Sequence, residues 1–178
     1  DSSSIIRHLE EIKIHPKLIP DNPQDAARAQ IIENWADTTL ANSIKIVFLE
    51  ELIKNPILVS SLLTNEISDS LEKPFFNIPL NFVSQISGLI NQEKKENLQL
   101  NLNYLTTSIQ EENFLIGKEL SIADISVASQ LSLLNFPKSS GENLKGKGCS
   151  SYINNPCLKN LFKWRDLIED KVFNTSQD

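Results

Sequence analysis

From Gly117 to Ile125 the chain reads Gly-Lys-Glu-Leu-Ser-Ile-Ala-Asp-Ile, and no other stretch limits its fold so tightly. A Ser three residues ahead of an Asp is the spacing of a capping box. The Ser121 hydroxyl can accept from the Asp124 N–H while the Asp124 carboxylate reaches back to the Ser121 N–H, which satisfies two of the orphan donors at a helix start. Leu120, just before the cap, and Ile125, four residues after it, are placed for a hydrophobic staple that fixes the entry angle of the chain. Gly117 allows a sharp approach. The helix predicted to follow carries Ile125, Val127, Ala128, Leu131 and Leu134, a composition suited to the interior of a helical body. Neither Ser121 nor Asp124 has a catalytic partner nearby in sequence, so the pair reads as a structural capping box.

Prolines divide the remainder into helices. Pro16 and Pro20 mark residues 14–22 as a linker, because proline blocks helix continuation and biases its predecessor away from it. Asn22 is a good cap and Pro23 a favoured first-turn residue for a long helix. In it Ala29, Ile32, Ala36, Leu40, Ile44, Phe48 and Leu52 recur at three- and four-residue steps through roughly eight turns. A second face of that helix, Ile31, Trp35, Thr38, Thr39 and Asn42, is mixed. Two helices are expected over 57–71 and 80–90, with Phe75 and Phe76 in the bend between them, either packed back onto the domain or anchoring a partner. A further helix over 93–112 repeats Leu98, Leu102, Leu105 and Ile109, and a last one over 156–172 carries Leu158, Leu161, Phe162, Trp164, Leu167 and Ile168. Residues 1–13 open as an amphipathic helix on Ile5, Ile6 and Leu9. Five Gly in 178 residues argue against a turn-rich all-β fold. The fold class expected is an all-α helical bundle.

Composition narrows the partners. A formal net charge of -6 disfavours a grip on phosphate backbones, so nucleic acid is not expected as a partner. No apolar run approaches the ~20 residues of a membrane-spanning helix, and the first residues lack the pattern of a signal peptide. A cytoplasmic protein without a membrane partner is the expectation. His8, His15, Cys149 and Cys157 lack zinc-ligand spacing, so no metal site is predicted, and the two thiols are expected to be reduced. Gly141, Gly146, Lys147 and Gly148 fit a phosphate-binding loop except at its last position, where Gly148 has no hydroxyl for magnesium. Neither a buried strand before the loop nor a helix after it is expected, so this reads as a flexible, mildly basic loop.

The block from Gly117 through Ser121 and Asp124 to Ile125 resembles the N-capping box motif in the C-terminal helical domain of glutathione S-transferases. The stretch from Asp21 through Ala29 to Trp35 resembles the opening of that domain's long helix, and Trp164-Arg165 its late helices. Asp1, Ser2, Ile5, Ile6, Arg7, His8 and Leu9 are similar to the last helix of the family's thioredoxin-like N-terminal domain. The resemblance implies a truncated thioredoxin-like helix at 1–13, a linker at 14–22 and a transferase-like helical domain at 23–173. Residues 55–92 are longer than the family's usual connection.

By spacing alone, Asp1 and Ser2 are an ordinary cap or a small site for an amino-acid head group, in which free N–H groups and the hydroxyl take a carboxylate and the acidic side chain takes an ammonium. The resemblance assigns them to the γ-glutamyl end of glutathione as co-substrate. It likewise places Trp35 and Thr38 on the wall of a pocket for a small electrophile, whereas the residues alone also allow Trp35 to be a core or interface aromatic. No catalytic residue is assigned, since the family's thiol-activating Tyr, Ser or Cys belongs to the N-terminal domain. Homodimerisation is the further expectation. The competing expectation is a noncatalytic module of the same kind, used for docking to other proteins.

Overall fold

A computed structural model describes residues 8, 12, 17–62, 92–109 and 113–174. The expected helices over 57–71 and 80–90 lie outside the described residues from 63 onward, as do Phe75, Phe76 and most of the expected helix over 1–13; His8 and Ile12 are helical.

Asn22 caps the first long element by accepting the N–H groups of Gln24 and Asp25 at 2.8 and 3.3 Å. From there the chain runs as one rod: α1 (Pro23–Trp35), a π-helical turn (Ala36–Leu40) and α2 (Ala41–Lys54). The π turn answers a mismatch in the apolar pattern. Each four-residue step overshoots a 3.6-residue turn by about 40°, so a stripe built on such steps walks around the cylinder. An i→i+5 turn absorbs one extra residue and resets the phase, which leaves Ala29, Ala36, Leu40, Ile44 and Val47 all buried.

The bundle is completed by α3 (Pro56–Leu62), α4 (Gln92–Ser108), α5 (Ile122–Leu131), the short α6 (Ser150–Ile153) and α7 (Lys159–Asn174). Turns of 3-10 helix, Lys138–Ser140 and Pro156–Leu158, precede the last two. Among the described residues the extended pairing is a single antiparallel bridge between Asn135 and Gly148. The protein is all-α.

Helix α5 is the centre of the body, lying against α1, the π turn and α7. Its Val127, Ala128 and Leu131 join Leu40, Ile44, Leu98, Leu102, Leu158, Leu161 and Ile168 in the main core. A smaller cluster of Ala29, Ile116, Ile122 and Ala123 sits at the start of α5. Leu120 packs against the main core as a staple residue should, whereas Ile125 is only half-buried and belongs to neither cluster.

Candidate functional site

The start of α5 is built around one carboxylate. Asp124 is fully buried. Its Oδ2 accepts the Ser121 N–H at 2.9 Å and the Ser121 hydroxyl at 2.7 Å, and its Oδ1 accepts the Leu115 N–H at 2.7 Å. The capping box is present with both arms, and the Asp124 N–H also donates to the Ser121 carbonyl at 3.1 Å. Burial pushes the Asp124 carboxyl above its ordinary range, against the hydrogen bonds from Leu115 and Ser121 that pull it down.

The same junction gathers three segments of chain. The Ile122 N–H donates to the Leu18 carbonyl at 2.9 Å, so the linker is tied to the helix that the box opens. Gly117, at φ 63°, takes the left-handed conformation that lets the loop turn into the cap. Between linker and loop lies a cleft of about 290 Å³, walled by Lys17, Asp21 and Asn22 on one side and Lys118 and Glu119 on the other.

Of the residues predicted to bind ligands, Asp1 and Ser2 lie outside the described residues. Trp35 is half-buried against the main core, and Thr38, one turn on, is exposed within the π turn with its hydroxyl donating to the Asn34 carbonyl at 2.6 Å. Neither borders the clefts at the cap, beside Glu50 or beside Arg165. They do share a rod face that the described bundle leaves open: Ile31 is 68% exposed, and Thr39 and Asn42 are exposed with it.

Cys149 is fully buried; that burial, then the nearby Glu51 and Glu50 carboxylates, push its thiol up to about 12. It is therefore a neutral thiol and no nucleophile at ordinary pH. Tyr152 beside it is likewise pushed up to about 12 by burial, with Cys149 and Glu50 adding to the effect. Cys157 is exposed, and both cysteines are free. Among the described residues no group of three or more His, Cys, Asp or Glu side chains is placed to hold a metal ion, and no helix is long and apolar enough to cross a membrane.

The glycine loop differs from the flexible segment expected. It is closed by backbone bonds of 2.8 Å from Phe136 N–H to the Lys147 carbonyl, from Gly146 N–H to the Phe136 carbonyl and from Cys149 N–H to the Leu134 carbonyl. The Lys147 ammonium donates to the Ser61 hydroxyl at 2.7 Å rather than facing an anion cradle. A Cβ at Gly148 would stand 2.4 Å from the Leu134 carbonyl oxygen, so close backbone approach is what requires glycine there.

Sequence reasoning passed over one buried cation. Arg165 is 1% exposed, with its Nε donating to Asp166 at 2.8 Å and its Nη1 to the Asn135 carbonyl and, at 3.4 Å, to the Ser132 hydroxyl. The signal was available: Arg165 stands four residues after Leu161 and three before Ile168, on the stripe that α7 buries.

No family model matches the chain. In sequence it is 21% identical over 136 residues to FtsZ-localized protein A of Caulobacter vibrioides, an alignment covering 76% of this chain and 50% of that protein. The chain thus spans about half the length of the curated relative it matches. In structure it is similar to the beta-etherase LigF of Sphingobium sp. strain SYK-6, at a TM-score of 0.59 and 16% identity, over 98% of this chain and 73% of that one. LigF has the glutathione S-transferase fold, and at this identity the likeness concerns fold alone.

Proposed function

We propose that this all-α chain is the C-terminal, substrate-pocket domain of a glutathione S-transferase-like protein. In the complete protein a glutathione thiolate attacks a small electrophile, conjugating or reducing it. The observation that carries the reading is the coverage of 98% of the chain by the fold of an enzyme that is a beta-etherase. The capping box, its Leu115 bond and the tie to the linker give the same reading local support.

On this reading the roles divide between domains. A preceding thioredoxin-like domain lowers the thiol pKa through a hydrogen bond, and Asp1 and Ser2 hold the γ-glutamyl group. Trp35 and Thr38 supply an apolar wall with one hydroxyl for the electrophile, on the face of the rod that Ile31 leaves open. The described residues contribute shape and specificity rather than a nucleophile, as the buried, neutral Cys149 illustrates. A homodimer in the cytoplasm is part of the proposal.

A second reading has its own support. The curated relative is named for localisation with FtsZ, which favours a noncatalytic module that docks onto other proteins. Two measurements on the complete protein separate the readings. Retention on immobilised glutathione with elution by free glutathione, and loss of conjugating activity in Trp35→Ala with glutathione retention intact, support the transferase. Failure of retention combined with co-sedimentation with FtsZ polymers supports docking.

A further inference from the structure

The bundle buries Arg165 without using all of it. Nε and Nη1 are engaged by Asp166, Ser132 and the Asn135 carbonyl, while Nη2 takes no hydrogen bond among the described residues. The Asn135 side-chain nitrogen takes none either. Among the described residues Asn135 Oδ1 is the one buried side-chain oxygen or nitrogen without a partner, so the two unused nitrogens are not sealed in and must meet open space. The open space that both residues border is a cleft of about 680 Å³ between the 135–146 loop and α7, within the range of small-ligand sites.

The walls say what such a ligand carries. Two unused N–H donors on the floor, with Lys138 and Lys145 at the rim, favour a carboxylate. Asp166, Glu169 and Asp170 of α7 face the same space. Asp166 is already paired with Arg165 Nε at 2.8 Å, and Glu169 is partly occupied, accepting from Ser132 and Ser139 at 3.3 and 2.9 Å, which leaves Asp170 the more open to a cation. Cations and carboxylates around the cleft balance, so a polyanion such as phosphate would meet as much repulsion as attraction. A molecule with one charge of each sign meets neither penalty.

We infer that this cleft binds a zwitterionic, peptide-like ligand. Its carboxylate lies on Arg165 Nη2 and the Asn135 amide, and its ammonium faces Asp170. The site is separate from the face proposed for the electrophile and does not depend on that assignment.

The test is an NMR titration of the full chain with triglycine, N-acetyltriglycine and triglycinamide, followed at the amides of Ser139, Lys145 and Gly146 and at the Arg165 Nε–H. Triglycine is expected to give saturable shifts at these positions. Loss of either charge, in the acetylated or the amidated compound, is expected to weaken binding by about tenfold. Arg165→Lys should abolish the shifts. Because that variant disturbs a buried cluster, Lys145→Glu, at an exposed rim position, provides the second arm, with a loss of roughly three- to fivefold. Absence of saturable shifts with triglycine, equal binding of all three compounds, or unchanged affinity in Lys145→Glu overturns the inference.

Discussion

Replacing Asp124 with Ala tests the architecture where it is most concentrated. The substitution leaves three donors without their acceptor: the Leu115 N–H, the Ser121 N–H and the Ser121 hydroxyl, now held at 2.7 to 2.9 Å. A buried donor stripped of its partner costs about 1–3 kcal/mol, so three of them set a scale of roughly 3 kcal/mol at the low end. Against this stands the relief of no longer burying a carboxyl that desolvation pushes above its ordinary value. The net expectation is a loss of about 2–3 kcal/mol, more than the ~1 kcal/mol of an ordinary cap. Urea unfolding at neutral pH reads it as a shift of midpoint at constant slope. Ser121→Ala, which removes only one of the three donors together with the hydroxyl arm of the box, should cost about 1 kcal/mol. A loss below about 1 kcal/mol for Asp124→Ala would mean that the Leu115 bond contributes nothing, and the account of the junction fails. The pH sign is fixed as well. Because the folded carboxyl is raised above 3.8, the part of its contribution linked to ionisation is complete below that pH and is lost as pH rises through the folded value, so the Asp124→Ala deficit is larger in acid than at neutral pH.

Gly148→Ala should destabilise by about 2 kcal/mol or more, since the new Cβ meets backbone 2.4 Å away at a φ of 141°; a thermal midpoint equal to wild type contradicts it. Titration with a thiol reagent at neutral pH should count one reactive cysteine in the folded chain, Cys157, and two after denaturation, because burial and the acidic neighbours hold Cys149 as a thiol; rapid labelling of both in the native state sinks the claim. Burial alone would raise the Glu50 carboxyl, but hydrogen bonds and charge from Lys54 and Lys95, the latter at 2.5 Å, hold it below 4.5. Its stabilising contribution is therefore present above pH 4.5 and lost as pH falls through the folded value. Wild type should exceed Glu50→Gln in stability near neutral pH, with the gap closing on acidification; a gap independent of pH refutes the ion-pair account.

What the sequence made legible is what repeats or what caps. The start of the rod at Asn22 and Pro23, the box at Ser121 and Asp124, and the leucine steps of α4 are local patterns, and each element formed where its own residues required it. The π turn was present only as a conflict, a run of four-residue steps that a regular helix cannot keep in line, and resolving it needs the core against which Ala36 and Leu40 pack. The burial of Glu33 and Arg165 was not read from the sequence, for a related reason. Each stands in register with an apolar stripe, Glu33 between Ala29 and Ala36 and Arg165 between Leu161 and Ile168, so the pattern alone marks them for burial. Glu33 meets the nearby Gln30, but other buried charges have partners distant in sequence: Asp124 accepts the Leu115 N–H nine residues back, and Arg165 donates to the Asn135 carbonyl 30 residues back. A charge in phase with a buried stripe therefore signals an acceptor or donor elsewhere in the chain that only the fold can name. At Arg165 the fold names too few, and the guanidinium nitrogen left over turns a packing residue into the floor of a cleft.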